Sequence, residues 1–284
     1  MQIRLRILSF FFAFITLGVS LSETRESLAQ DESDKSHRIV TLSPHLAEIV
    51  YASGAGGYVV GVMAGTNYPV EATKHPIVGG FNGIDFEALI NLEPTIVLAW
   101  KEGNRGPDIV KLKSLGIPVH IFSASNLSDI EHQIAVVSRL FGTEKIADEL
   151  IISIKNRISS FDHKRDLDHE RKVFIKIWDK PIFTIGHDHY INEALKLCGV
   201  TNVGEKYPFT AGSISIETML LSEADLILNL TGLELTDDLE ASSKGWFHRS
   251  IALKSIESDP DLLMRLSPRF LDGLEILCTK IVAF

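Results

Sequence analysis

The chain has 284 residues, a net charge of -9, 45% hydrophobic residues and two cysteines. Its acidic balance disfavours nucleic acid and anionic membrane surfaces as partners. The length is sufficient for two domains of ordinary size, each with its own hydrophobic core.

The first 29 residues have the pattern of a secretory signal peptide and leader. An uncharged stretch over residues 7–21 follows two arginines and precedes small residues. This stretch is too short and wrongly flanked for a membrane span. We expect cleavage after Ser22 or Ala29, and a protein exported to the periplasm without a lipid anchor, since no cysteine lies near either position.

Apolar strands alternate with amphipathic helices over residues 38–142. The predicted strands cover 38–42, 58–62, 96–98 and 119–122, and the predicted helices cover 46–50, 85–90, 107–115 and 126–141, the last capped by Asn126. This alternation predicts a parallel sheet with helices on both faces, forming an N-terminal α/β lobe.

A long helix is predicted next, over residues 143–166. Thr143 begins it, and apolar residues three or four positions apart continue without glycine or proline to about Phe161. A helix of about twenty residues is about 30 Å long, which is enough to cross from one lobe to another. We expect a C-terminal α/β lobe over residues 167–284, so that one stiff helix joins two lobes.

The second lobe begins with a predicted strand over residues 172–177 and a helix over 191–197. A loop-rich acidic region is expected from Thr231 to Asp261, and Ser267-Pro268-Arg269 begins a final amphipathic helix.

A stretch of the first lobe recurs 130 positions downstream in the second. Each copy places a short amphipathic helix before an apolar strand, with Glu87 or Glu217 in the opening turn of the helix. A helix followed by a strand is common in α/β proteins, so the shared glutamate is what distinguishes this repeat. The repeat predicts two similar lobes.

The sequence contains few residues arranged for catalysis. It has no glycine-flanked nucleophilic serine and no phosphate-binding loop ending in Gly-Lys-Ser or Gly-Lys-Thr. The most metal-like cluster is His187-Asp188-His189, which could serve a metal-dependent hydrolase. The alternative is a polar turn between a strand and a helix, and we favour it because the sequence places no further ligand. We therefore expect no metal site and no enzyme.

Aromatic residues are concentrated in the segments that follow predicted strands. They are Tyr68, Phe81 and Trp100 in the first half and Trp178, Phe183, Tyr207 and Phe209 in the second. Parallel sheets bind ligands at the carboxyl ends of their strands, and each ring offers about 150–250 Å² of surface. The set predicts a broad, mostly apolar ligand in a cleft between the lobes, although any single ring, taken alone, is more often part of the core than of a ligand site. Trp246 is assigned to core packing.

The two cysteines, Cys198 and Cys278, are 80 positions apart in the last third of the chain. One disulfide is the simplest interpretation for an exported protein, and a loop of this length would contribute about 4 kcal/mol. Two buried thiols are the alternative.

Several motifs together resemble one family. Residues 38–44 with Glu48, Asn67-Tyr68-Pro69, residues 79–104, Ser215-Ile216-Glu217 and residues 267–278 resemble the periplasmic vitamin B12 (cobalamin)-binding proteins of ABC importers. The resemblance covers nearly all of the mature chain. It implies two parallel-sheet α/β lobes bridged by a single long helix, with cobalamin held between them and little closure.

The resemblance also implies positions for the two walls of the cleft. Tyr68, Phe81 and Trp100 would line the first wall, and Phe183 and Asp261 would belong to the second. The carboxylate of Asp261 would accept hydrogen bonds from amide groups of the ligand.

The sequence departs from the family pattern in the second wall. Ile177 and Ala211 occupy positions that are aromatic in the best-known member. Trp178 is adjacent to the first, and Tyr207 or Phe209 could substitute for the second.

The resemblance pairs Cys198 with Cys278 in a disulfide. It also matches Glu87 and Glu217 to glutamates that dock on arginines of the two permease subunits, since a carboxylate can accept both arms of a guanidinium. The alternative role is favourable interaction with the helix dipole, worth less than about 1 kcal/mol.

These features predict a monomeric periplasmic carrier without a cofactor. Its partners would be a corrinoid ligand and the permease subunits of an ABC transporter. A haem or ferric-siderophore carrier is the alternative of the same fold, because Tyr68 or the histidine pair could supply an axial ligand.

Overall fold

The structure is a computed structural model that describes residues 37–161, 171–232 and 254–283. The signal peptide, residues 162–166 of the predicted bridging helix, and Trp246 lie outside the described residues. Among the helices that are described, none is long and apolar enough to cross a membrane.

The first lobe is a four-stranded parallel sheet with helices on both faces and a small hairpin. Its strands are β1 (Ile39–Thr41), β2 (Val59–Val62), β3 (Gly79–Gly80), β4 (Gly83–Ile84), β5 (Ile96–Trp100) and β6 (Val119–Phe122). Its helices are α1 (Pro44–Ala52), α2 (Phe86–Asn91), α3 (Gly106–Ser114) and α4 (Asp129–Phe141). The sheet order is β2-β1-β5-β6, and β3 pairs antiparallel with β4.

Alternate residues of the central strands enter different cores. Ile39 and Leu98 belong to one buried cluster, whereas Val40 and Val97 belong to another. Both faces of the sheet are therefore covered, and this explains why β1 and β5 are continuously apolar.

The second lobe repeats the architecture of the first, and its parallel strands have the same order when the sheet is followed from β9 to β12. Its strands are β7 (Arg171–Lys176), β8 (Ile182–Ile185), β9 (Val200–Asn202), β10 (Ala211–Ile214), β11 (Leu226–Asn229) and β12 (Lys254–Glu257). A parallel sheet has the order β12-β11-β7-β9, and β8 pairs antiparallel with β10. Its helices are α6 (Tyr190–Leu197), α7 (Ile216–Leu220), α8 (Pro260–Leu263) and α9 (Phe270–Val282). They are numbered after the bridging helix α5 (Glu144–Phe161).

Helix α5 (Glu144–Phe161) joins the two lobes. Its 18 residues give a length of about 27 Å. It packs on α4 of the first lobe and on α9 of the second, and its Arg157 contacts Asp272 of α9 at 2.7 Å. Ile154 and Phe161 are buried in a cluster that includes core residues of both lobes. The predicted fold class, two parallel-sheet α/β lobes joined by one long helix, is confirmed.

The predicted disulfide is present between Cys198 and Cys278, whose Cα atoms are 4.9 Å apart. Cys198 ends α6 and Cys278 lies in α9. The bond therefore fastens two helices of the second lobe to each other.

Two predictions about local structure were wrong, and a third is tested only in part. Asn126 does not cap α4: the helix begins at Asp129, whose carboxylate accepts hydrogen bonds from the backbone N–H groups of Ser125 and Asn126. Most of the region from Thr231 to Asp261, predicted to be rich in loops, lies outside the described residues, and its described part contains strand β12, which pairs with β11 at the edge of the sheet. Phe183 was expected in the loop after the strand over residues 172–177, but it lies within strand β8.

Candidate functional site

The two copies of the repeat have the same local structure. Asp85 caps α2 by accepting from the backbone N–H of Ala88 at 3.0 Å. Ser215 caps α7 by accepting from the N–H of Thr218 at 3.2 Å. After each helix a glutamate adopts a left-handed conformation, with φ of 44° at Glu93 and 57° at Glu223.

Glu87 and Glu217 are exposed in the first turns of these matched helices. Hydrogen bonds from the Ser215 hydroxyl and from the backbone N–H of Glu217 itself lower the pKa of the Glu217 carboxyl. This favours the charged form of Glu217. Each lobe therefore presents one carboxylate to solvent at an equivalent place.

Trp100 ends strand β5 and is held by its neighbours. Its backbone N–H donates to Asn104 Oδ1 at 2.6 Å, and Asn104 Nδ2 donates to the carbonyl of Leu42 at 2.8 Å. Gly103 packs directly under the indole ring, where an added Cβ would lie 2.0 Å from Trp100 Cε3. The loop after β5 thus fixes the position of a partly exposed indole.

His45 supports the same indole from α1. Its ring meets the Trp100 ring edge-on, with centroids 5.2 Å apart, and its Nδ1 is hydrogen-bonded to the Ser43 hydroxyl. Burial and the nearby Arg265 lower the pKa of His45 to about 3. His45 is therefore an uncharged support for Trp100 at neutral pH.

Phe81 and Tyr68 lie on two connected segments of the first lobe. Phe81 occupies the turn between β3 and β4, and its side chain is fully exposed. The hairpin is tied to the segment after β2 because Ala64 N donates to Gly79 O at 2.9 Å. Tyr68 follows on that segment, with 46% of its surface exposed. The first lobe therefore exposes two aromatic rings on segments that are hydrogen-bonded to each other.

Aromatic residues of the second lobe are grouped around the antiparallel pair β8–β10. Trp178 forms a bridge with Phe183, whose N–H donates to Trp178 O at 3.1 Å. Phe209 packs against Gly212 of β10 and stacks on Tyr207 with centroids 5.5 Å apart. Trp178 is exposed, and Phe183 and Phe209 are partly exposed. Phe183 and Phe209 are therefore associated with this antiparallel pair, whereas Trp178 closely follows the carboxyl end of the parallel strand β7.

A polar network joins the two lobes close to Tyr68. Asp261 at the start of α8 contacts Arg265 through Oδ1 and accepts from Asn67 Nδ2 through Oδ2, each at 2.5 Å. Arg265 also donates to Asn67 Oδ1 at 2.7 Å and to Glu48 at 3.1 Å. Asp261, predicted as a ligand contact, thus bonds Arg265 of its own lobe with one oxygen and Asn67 of the first lobe with the other.

Arg269 completes this network. Its Nη1 donates to Glu48 at 3.2 Å, and its guanidinium carbon lies 4.0 Å from the centre of the Tyr68 ring. The structure therefore connects Tyr68 and Asp261 through two arginines. Sequence reasoning missed the roles of Arg265 and His45. For Glu48 and Arg269, the sequence indicated a role only because both residues belong to motifs shared with a known family.

The His187-Asp188-His189 cluster lies in the turn between β8 and α6. His187 and Asp188 are exposed and lie 3.4 Å apart. His189 caps α6 by accepting from the N–H of Ile191, and burial lowers its pKa to about 4. Within residues 37–161, 171–232 and 254–283, no three His, Cys, Asp or Glu side chains are grouped to hold a metal.

The sequence pattern of the periplasmic binding protein family matches residues 39–245. The chain therefore belongs to this family. Since the family and its relatives are binding proteins, the chain is a binding protein and not an enzyme.

Among similar proteins, the vitamin B12-binding protein of Vibrio cholerae serotype O1 is 26% identical over 248 residues, covering 85% of this chain and 88% of that protein. The uncharacterised ABC transporter substrate-binding lipoprotein YvrC of Bacillus subtilis is 32% identical over 257 residues, covering 86% of this chain and 79% of YvrC. These relatives confirm the resemblance that the sequence motifs indicated.

Solved structures agree with this assignment. The crystal structure of the periplasmic vitamin B12-binding protein BtuF of Vibrio cholerae has a TM-score of 0.75 and 25% identity, covering 86% of this chain and 96% of BtuF. The periplasmic haem-binding protein RhuT from Roseiflexus has a TM-score of 0.74 at 21% identity, covering 86% and 97% of the two chains, and shares the fold.

Proposed function

We propose that this protein is a periplasmic carrier that binds cobalamin or a related corrinoid between its lobes and delivers it to an ABC transporter. The observation that carries the proposal is the set of exposed rings on both lobes. Phe81 and Tyr68 on the first and Trp178 on the second expose large apolar faces to solvent. A flat, broad ligand would cover these faces, and each ring offers about 150–250 Å².

The charge balance beside the cleft favours a ligand without strong net charge. The two guanidiniums of Arg265 and Arg269 are paired with the two carboxylates of Glu48 and Asp261. Because the four charges cancel, they offer no excess cation for the propionates of haem or for an anionic siderophore. Corrinoids instead carry amide groups at the ring edge, and a partly exposed carboxylate such as Asp261 can accept from them.

The exposed glutamates of the repeat supply the second half of the proposed function. Glu87 and Glu217 occupy equivalent places on the two lobes, each beside a capped helix start. Two carboxylates set apart in this way suit two arginines on separate permease subunits, and they would fix orientation as well as contact.

Isothermal titration calorimetry of the mature protein tests the ligand. We expect saturable one-to-one binding of cyanocobalamin with a submicromolar dissociation constant, and much weaker binding of haem and of ferric hydroxamates. Phe81→Ala should weaken the binding. Leu115→Ala, which removes an exposed apolar side chain elsewhere in the first lobe, should leave it unchanged. Absence of corrinoid binding at micromolar protein would refute the proposal.

Haem is the second candidate, because the exposed Tyr68 carries a hydroxyl that could ligate iron. A shifted Soret band on adding haem, lost in Tyr68→Phe, would identify this function instead. The corrinoid proposal predicts no such tyrosine-dependent band.

A further inference from the structure

Glu48 is an acidic residue buried at the junction of the two lobes. It lies in α1 of the first lobe, and its side chain is only 1% exposed. Within the described part of the chain, three side-chain groups bond it, and all come from the second lobe: Arg265 at 3.1 Å, Arg269 at 3.2 Å and the Ser267 hydroxyl at 2.6 Å. A buried carboxylate needs such partners because its removal from water is strongly unfavourable.

The same two arginines hold groups that belong to the proposed binding site. The guanidinium carbon of Arg269 lies over the Tyr68 ring, 4.0 Å from its centre. Arg265 donates to Gly65 O at 3.0 Å and to Asn67 Oδ1 at 2.7 Å, on the segment that leads to Tyr68. Each guanidinium therefore connects Glu48 on one side with a wall of the cleft on the other.

We propose that Glu48 is a positioning residue for ligand binding. By fixing Arg265 and Arg269, it sets the places of Tyr68 and Asp261, and hence the spacing of the two walls, before the ligand arrives. A site held in its bound geometry binds more tightly because less ordering is left to be done on association. This inference rests on the proposed function, since it assumes that Tyr68 contacts the ligand.

A purely structural role for the network makes a different prediction. If Glu48 and its arginines only fasten the lobes together, their replacement lowers stability and leaves the affinity of the folded protein unchanged. If they position Tyr68, replacement lowers affinity only while Tyr68 is present. A double-mutant cycle in ligand affinity separates the two roles.

The decisive variant is Arg269→Lys, which keeps the positive charge beside Glu48 but loses the planar group that covers Tyr68. In calorimetric titrations with cyanocobalamin, Arg269→Lys should bind about tenfold more weakly than wild type. In a Tyr68→Ala background the same substitution should have almost no further effect. Arg157→Lys changes another arginine–carboxylate pair between α5 and α9, at 2.7 Å, and should not alter affinity. An unchanged affinity in Arg269→Lys, or an equal loss with and without Tyr68, would overturn the inference.

Hydrogen exchange in the ligand-free protein provides a readout that does not depend on the proposed function. In Glu48→Gln, peptides covering residues 65–69 and 259–265 should exchange faster, whereas a peptide covering β6 should not change. Unchanged exchange at 65–69 in folded Glu48→Gln would contradict the inference, and if that variant does not fold, the Arg269→Lys cycle decides. Wild-type protein that binds no corrinoid would instead refute the proposed function, while the exchange result would still report on Glu48.

Discussion

Gly103 controls the position of the Trp100 indole and offers a sharp test of the first wall. A Cβ at this position would lie 2.0 Å from Trp100 Cε3 and 2.2 Å from Cζ3. Carbon atoms in contact are normally about 3.5–4.0 Å apart. In the Gly103→Ala variant the Trp100 ring must therefore move by about 1.5 Å. Returning the ring to its place against the ligand would cost about 1–3 kcal/mol, as in other overpacked sites. We therefore expect cyanocobalamin affinity to fall about 5- to 150-fold.

The assay is calorimetric titration of four variants with cyanocobalamin. Gly106→Ala is the matched control, because nothing lies within 4 Å of the Cβ it would add, and its affinity should equal that of wild type. Trp100→Phe removes the outer ring that carries Cε3 and Cζ3, so adding Gly103→Ala to it should cause little further loss. If Gly103→Ala binds like wild type, or if its effect is the same in the Trp100→Phe background, the reasoning about the indole is wrong.

Three further predictions concern docking, stability and pH. Joint replacement of Glu87 and Glu217 by alanine should leave the dissociation constant for cyanocobalamin unchanged and abolish uptake in cells; persistent uptake would show that they are ordinary helix-start residues. Cys198→Ala with Cys278→Ala should lower the free energy of unfolding in urea by about 4 kcal/mol, since the bond closes a loop of 80 residues, and an unchanged value would contradict this. His45 has its pKa lowered to about 3 in the folded protein from 6.5, so the unfolded chain takes up its proton first as pH falls. Stability should therefore decrease by about 1.4 kcal/mol per pH unit from about pH 6 toward pH 3 on account of His45, and this slope should flatten by that amount in His45→Gln.

The lobes could be predicted from sequence because their signals are local. Strand β6 is predicted with its observed bounds, since a short and mostly apolar run follows Gly116 and Pro118 and precedes a polar segment over residues 123–126. The repeat could be recognised because the capping residue, the glutamate and the following strand keep the same spacing in both copies. Boundaries were missed where a side chain decided them, as when Asp129 rather than Asn126 organised the start of α4.

The second wall could not be predicted because it depends on pairing between distant short strands. Strands β8 and β10 pair antiparallel, joining Phe183 to Ser213. Neither strand has enough residues for its periodicity to indicate a partner. Trp178 and Phe209 were selected as aromatic residues near strand ends, and the arrangement that groups them around the antiparallel pair β8–β10 comes only from tertiary structure.

The network around Glu48 was equally hidden. Glu48 and Arg265 are separated by 217 positions, and a glutamate in an apolar helix gives no indication of which arginine will pair with it. Asp261 was predicted to accept hydrogen bonds from a ligand, yet its two oxygens bond Arg265 and Asn67. A carboxylate has further lone pairs, so Asp261 can keep these bonds and still accept from a ligand amide.

A crystal structure of the mature protein grown with excess cyanocobalamin tests the central claim most directly. The account predicts one corrinoid between the lobes, in contact with Trp100 of the first and Phe183 of the second. A corrin ring bound elsewhere on the surface, or a groove between the lobes that stays empty at saturating ligand, would contradict it.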